Sequence, residues 1–81
     1  MRNVSVQIKD WGELKVGRPA QVRGMTKHVT LNGVIVVLKE FDEALGAWMT
    51  VFANGEERLL KTDNLNAKLD NDALLQYRND F

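Results

Sequence analysis

Polar and apolar residues alternate in short runs along the chain, and the runs are separated by turn residues. Val4, Val6 and Ile8 alternate with Ser5, Gln7 and Lys9, a period of two that predicts a half-buried strand ending before Trp11-Gly12. Gly17-Arg18-Pro19 reads as a turn, and Ala20 to Arg23 as a short strand with Ala20 and Val22 on one face. Gly24 to Gly33 is a polar connection without a helical period, closed by the turn dipeptide Asn32-Gly33. Gly33 to Phe41 is apolar and β-branched and gives the strongest strand signal. Phe41 to Gly46 predicts a tight connection. Ala47 to Ala53 predicts the next strand, with Trp48, Thr50 and Phe52 on one face and Met49 and Val51 on the other.

Asn54-Gly55 is a hairpin signal, and Glu57 to Thr62 is the returning strand. Thr62-Asp63-Asn64-Leu65 predicts a single 3₁₀ turn, because Asp and Asn side chains bond local backbone. Ala67 and Leu69 are expected to close the sheet as a last short strand. Asp70-Asn71-Asp72 is a helix N-cap cluster with acids at the positive end of the helix dipole, and a helix is predicted over Ala73 to Asn79. Leu74, Tyr77 and Phe81 share one stripe of it, and so short a helix needs a surface to dock on.

Five or six short strands with turns every eight to twelve residues point to an all-β fold. A closed small barrel would also protect the apolar strand from pairing with other chains. The chain has 81 residues, 44% of them hydrophobic, which fits one compact domain. Area scaling for this mass buries about 63% of the unfolded surface, enough for one core and too little to spare for a large internal cavity. The expected plan is an N-terminal strand extension over 1–15, the barrel over 16–69 and the helix over 70–81, together one compact domain.

Cysteine is absent, which excludes disulfide scaffolds, thiolate metal sites and cysteine nucleophiles. The N-terminus has no apolar segment of signal-peptide type. The longest apolar run, Val34 to Leu38, falls far short of a membrane span. The expectation is a cytoplasmic protein. The formal charge is zero, but residues 1–39 carry seven Lys or Arg against Asp10 and Glu13, whereas 40–81 carry four against nine acids. Unless folding intermingles the halves, the molecule is dipolar, which favours an acidic partner or head-to-tail self-association.

The ordered series Val16-Gly17, Gly24-Met25, Leu31-Asn32-Gly33, the strand through Val37, Phe41-Asp42, Gly46-Ala47-Trp48, Val51, Asn54-Gly55-Glu56 and Thr62-Asp63-Asn64-Leu65 resembles the Src-homology-3-like small barrels, with a strand plan like that of Tudor and KOW modules. The resemblance covers about residues 16–69. It departs at Ile35 or Val36, where the family has a glycine, and at Ala47, where a basic residue precedes the tryptophan. It implies a five-stranded barrel and the habits of a binding module, without catalysis or cofactor.

The candidate chemistry agrees with a non-enzyme. His28 is the lone histidine and lacks partners at metal-ligand spacing, so it reads as a solvated loop residue. Asp42-Glu43 and Glu56-Glu57 fall on turns, where no cleft shelters a carboxylate for acid–base work. No nucleophile triad or phosphate-binding glycine loop is present.

What remains is binding. Arg18, Arg23, Lys27 and His28 form the basic candidates, and Phe41, Asp42 and Trp48 the aromatic and acidic ones. A cage of rings in such barrels recognises cations, although Trp48 and Phe52 on one strand face more often mean core. The preferred reading is a protein partner engaged through the Gly24–Gly33 loop, the Asp42–Gly46 turn and exposed aromatics. The alternative is nucleic acid on the basic segment 15–39, against which stands a pI near 6.6. A third reading is a homodimer through strand 4–9 or the Leu74, Tyr77, Phe81 stripe.

Overall fold

The computed structural model describes residues 9–10 and 13–81. Among these residues seven short strands and one helix follow in chain order: β1 (Lys9–Asp10), β2 (Pro19–Val22), β3 (Ile35–Asp42), β4 (Ala47–Phe52), β5 (Glu57–Lys61), β6 (Leu65–Asn66), β7 (Lys68–Leu69) and α1 (Asn71–Asp80). Single 3₁₀ turns occupy Val29–Leu31 and Thr62–Asn64. Five strands form an antiparallel sheet in the order β5-β4-β3-β2-β6, and β1 and β7 form a separate two-stranded ladder. β2 to β5 are thus a meander, after which the 3₁₀ turn at Thr62–Asn64 carries the chain back to pair β6 with β2. No ladder joins β5 to β6 among the described residues, so the sheet is open.

Two apolar clusters lie on opposite sides of β3. Val36 and Leu38 point into the main core with Ala20, Val22, Trp48, Phe52, Leu60 and Leu65, while Leu14, Met25, Leu31 and Val34 pack around it. Ile35, one residue out of phase, points the other way into a smaller cluster with Leu69 and Ala73, flanked by Leu74 and Tyr77 of α1. The helix therefore has the docking surface that its length requires. Leu74 and Tyr77 spend much of the expected self-association stripe on their own chain, while Phe81 stays 46% exposed and packs its ring 5.3 Å from Tyr77.

The helix begins two residues before the predicted Ala73, because Asp70 acts as N-cap and accepts a hydrogen bond from the Ala73 N–H at 2.8 Å. The expected last strand over Ala67 and Leu69 is corrected. Leu65–Asn66 joins the main sheet opposite Gln21 and Val22. After a bend at Ala67, Lys68 and Leu69 leave it to pair with Asp10 and Lys9. The N-terminal ladder is thus formed within the chain. The rest of the expected strand, Val4 to Ile8, lies outside the described residues, as does Trp11.

The strand expected to end at Phe41 runs on to Asp42 through a bulge. Leu38 faces Thr50 and Phe41 faces Trp48, with a register shift between Leu38 and Glu40. The inserted residue puts Leu38 and Phe41, three apart in sequence, on the same face. The Gly24–Gly33 connection, expected to be without helix, contains the 3₁₀ turn and ends in a type II turn. There Asn32 takes φ −62°, ψ 131°, Gly33 takes φ +90°, and the Val34 N–H donates to the Leu31 carbonyl at 3.0 Å. Only Gly33, and not Asn32, uses the left-handed region.

Candidate functional site

The loop over 24–33 is held in one shape by contacts with residues distant in sequence. Met25 and Leu31 pack against the main core. The Asn32 side chain closes the loop on itself, its Oδ1 accepting from the Met25 N–H at 2.8 Å and its Nδ2 donating to the Met25 carbonyl at 3.1 Å. At the base, the Gly33 N–H donates to the Val22 carbonyl at 2.7 Å, and the Gln21 side chain donates to the Gly33 carbonyl at 3.1 Å.

The 3₁₀ turn at Thr62–Asn64 links this loop to the β3–β4 turn. The Thr62 N–H and hydroxyl both donate to the Gly46 carbonyl, at 3.2 and 3.1 Å. Two residues on, the Asn64 carbonyl accepts from the Arg23 N–H at 2.8 Å, and the Asn64 side chain donates to the Arg23 carbonyl at 3.0 Å. A 3₁₀ turn rises about 2 Å per residue, so the base of one loop and the end of the other lie on adjoining surface. The β3–β4 turn is itself braced where Asp42 Oδ1 accepts from the Leu45 N–H at 3.2 Å.

One shallow depression lies at the first loop and another at the end of β3, where the β3–β4 turn begins. One, of about 190 Å³, is lined by Gly24, Met25, Thr26, Lys27, His28 and Asn64. The other, of about 320 Å³, is lined by Glu40, Phe41, Asp42, Glu43, Met49 and Leu59. The first is bordered by a lysine and a histidine, the second by three carboxylates. Met49 and Leu59 sit side by side in the second because β4 and β5 pair them directly, with Glu40 opposite Met49 on β3.

The candidate residues therefore separate. Lys27 and His28 are exposed together on the loop, and Arg23 is exposed at its base. Phe41 is 42% exposed and stands 4.9 Å from Trp48, tilted 48° to it. Trp48 itself is 8% exposed and belongs to the core, so it supports the Phe41 ring from beneath and presents little surface of its own. Asp42 is half-buried, and Arg18 lies at the start of β2, away from the Lys27 and His28 loop tip in sequence, its N–H donating to the Lys15 carbonyl at 3.1 Å.

Sequence reasoning missed Asn32, Thr62 and Asn64 as the residues that fix the two loops, and Glu40, Glu43, Met49 and Leu59 as groove lining. The first three were visible only as turn formers, since their partners lie seven to forty-one residues away for Asn32 and Asn64. The basic segment is also less available than its composition suggests. Lys15 pairs with Glu13 at 3.4 Å and Lys39 with Glu57 at 3.0 Å. Among the described residues, no three His, Asp or Glu side chains converge as metal ligands would, and no helix is long and apolar enough to cross a membrane. Compared with protein-family models, with characterised proteins and with solved structures, the chain matches none.

Proposed function

We propose that this chain is a non-enzymatic binding module of Src-homology-3-like plan that engages a protein partner at its loop end. The fold-level part of the reading is supported by the strand order β5-β4-β3-β2-β6 and by the single 3₁₀ turn that precedes β6. The functional part rests on one observation. The Thr62–Asn64 turn bonds to Gly46 on one side and Arg23 on the other, so two loops of opposite charge are held on a rigid support beside an exposed ring. Loops fixed on a sheet are where binding residues concentrate. Phe41, half exposed and backed by Trp48, has the geometry of an aromatic anchor with low conformational entropy. Lys27 and His28 on one flank and Glu40, Asp42 and Glu43 on the other suit an extended polypeptide carrying both charges around an apolar residue.

The experiment is selection of peptides from a random library on the immobilised full chain, followed by NMR titration of the selected sequence. Binding of that peptide should shift the amides of Lys27, His28, Phe41, Asp42 and Asn64, and Phe41→Ala should weaken it at least tenfold. Perturbations that map elsewhere, or a library yielding no specific binder, would overturn the reading. The same titration with single- and double-stranded oligonucleotides, at about 50 and 200 mM salt, tests the nucleic-acid alternative, for which affinity should fall steeply with salt. Pairing of Lys15 and Lys39 with acids speaks against that alternative.

A further inference from the structure

β5 is the outer strand of the sheet, and its backbone pairs on one side only among the described residues. The direction of its free groups follows from the register. The Phe52 N–H donates to the Glu56 carbonyl and the Thr62 N–H to the Gly46 carbonyl, so hydrogen-bonded pairs alternate through Arg58 opposite Thr50 and Leu60 opposite Trp48. Glu57, Leu59 and Lys61 therefore turn their N–H and C=O groups away from β4. Their side chains share the face opposite the buried Leu60, and Leu59 is 43% exposed there beside Met49.

We infer that this edge docks a second copy of the chain, antiparallel, about a twofold axis through Leu59. The argument is self-complementarity. In that register Glu57 faces the second copy's Lys61, Leu59 faces Leu59, and Lys61 faces Glu57. All three are positions whose backbone groups point outward, so each makes a hydrogen-bonded pair with its counterpart. Two opposite-charge pairs and one apolar pair then lie on a single face. A slip of two residues along the antiparallel edge would set Glu57 on Leu59 and remove both Glu57–Lys61 pairs, so the charges select this register. Edge charges normally discourage pairing, but here their signs match across the axis. Lys39, 3.0 Å from Glu57, adds a second cation to each carboxylate. The interface continues the partly buried row of Val37, Val51, Met49 and Leu59 across the axis, and symmetric use of one patch makes it a closed dimer. A five-residue edge covers much less than the roughly 800 Å² per partner of a stable complex, so the dimer is weak and reversible.

The test is sedimentation equilibrium of the full chain between about 20 µM and 1 mM, with amide exchange followed by NMR at both ends of the range. The mass should rise toward that of a dimer, and the Glu57, Leu59 and Lys61 amides should gain protection with concentration. Lys61→Glu sets two carboxylates against each other at both ends of the pairing and should weaken association roughly tenfold. The double exchange Glu57→Lys with Lys61→Glu should restore it. Leu59→Pro removes an N–H that makes no bond to β4 and should abolish the dimer while the monomer stays folded. A chain that remains monomeric at 1 mM overturns the inference, and so does a dimer indifferent to Leu59→Pro or a double exchange that fails to rescue. Leu59 also lines the depression beside Phe41, so Lys61→Glu and the double exchange, which lie outside that depression, separate loss of the dimer from loss of the peptide site.

Discussion

Leu69→Ala and Leu38→Ala make a matched pair that tests how the two apolar clusters share the stability of the chain. Both leucines are essentially inaccessible, at 0% and 1% exposure. Truncating a buried leucine removes the transfer free energy of its lost carbons and adds the cost of the cavity left behind, about 2–5 kcal/mol in total. The setting decides where in that range each falls. Leu38 sits in the middle of the main core, surrounded by strands that cannot close on a void, so about 4 kcal/mol is expected. Leu69 lies in a cluster of three buried residues covered by a ten-residue helix, which can settle inward, so about 2–3 kcal/mol is expected. A domain of this length is stable by about 4–12 kcal/mol, so Leu38→Ala threatens the whole fold and Leu69→Ala does not.

The two variants should also differ in kind. With Leu69 truncated, Ile35 is the one large buried side chain left in the cluster on which α1 docks, and the helix should open locally while the five-stranded sheet persists. Urea denaturation gives the two free energies, and amide exchange reports Leu74 to Arg78 separately from Val36 to Leu38. In Leu69→Ala the helix amides should exchange orders of magnitude faster than the strand amides. Peptide binding at the loop end should survive, because α1 packs on the other side of β3 from the main core. If helix and strand amides lose protection equally in Leu69→Ala, the smaller cluster is not a separable unit and the reasoning fails.

Further expectations concern single interactions. Asp70→Ala should cost about 1 kcal/mol and lower the helical signal in far-ultraviolet circular dichroism, because the Ala73 N–H loses its 2.8 Å acceptor; an unchanged spectrum and midpoint would show that the cap is not used in solution. Gly33→Ala places a Cβ at φ +90° and should cost about 1–3 kcal/mol through backbone strain, read as a shift of the urea midpoint. Thr50→Val should be within about 1 kcal/mol of neutral, since the hydroxyl bond to the Arg58 carbonyl at 2.7 Å is exchanged for a buried methyl at a site with 0% exposure; a large loss would mean that this hydrogen bond carries far more than usual. Asn32→Ala removes both loop-closing bonds to Met25 and should raise the exchange rate of the loop amides with a stability loss of about 1–2 kcal/mol, measured together by NMR exchange and denaturation.

Much of the local structure can be read from the sequence. Alternation in Ala47 to Ala53 places Trp48, Thr50 and Phe52 on one face, and the three are buried together. Asn54-Gly55 marks its hairpin, and Asp70 its helix start. Thr62 to Leu65 contains the anticipated 3₁₀ turn. These features follow from backbone preferences and side-chain periodicity within a few residues, and a single sequence carries that information. The loop residues Lys27 and His28 are exposed in the structure, and so is Phe41 at the end of its strand.

What the tertiary structure alone decided are relations between distant positions. The bulge between Leu38 and Glu40 rephases β3, and this brings the Phe41 ring onto Trp48; a strict period of two cannot foresee an inserted residue. Leu65–Asn66 and Lys68–Leu69 are separated by a single residue, yet they join different ladders, because their partners near Val22 and Lys9 come from two other parts of the chain. The halves of opposite charge meet at one point where Lys39 of β3 reaches Glu57 of β5 across the intervening β4, a pairing that the linear order does not reveal. Asn32 and Asn64 show the same limit. Their residue type marks a turn, but their hydrogen bonds to Met25 and Arg23 exist only after β2, β3 and β6 have aligned. Periodicity and turn chemistry are short-range and belong to the sequence; register, closure of loops and pairing of charges are set by which strands meet.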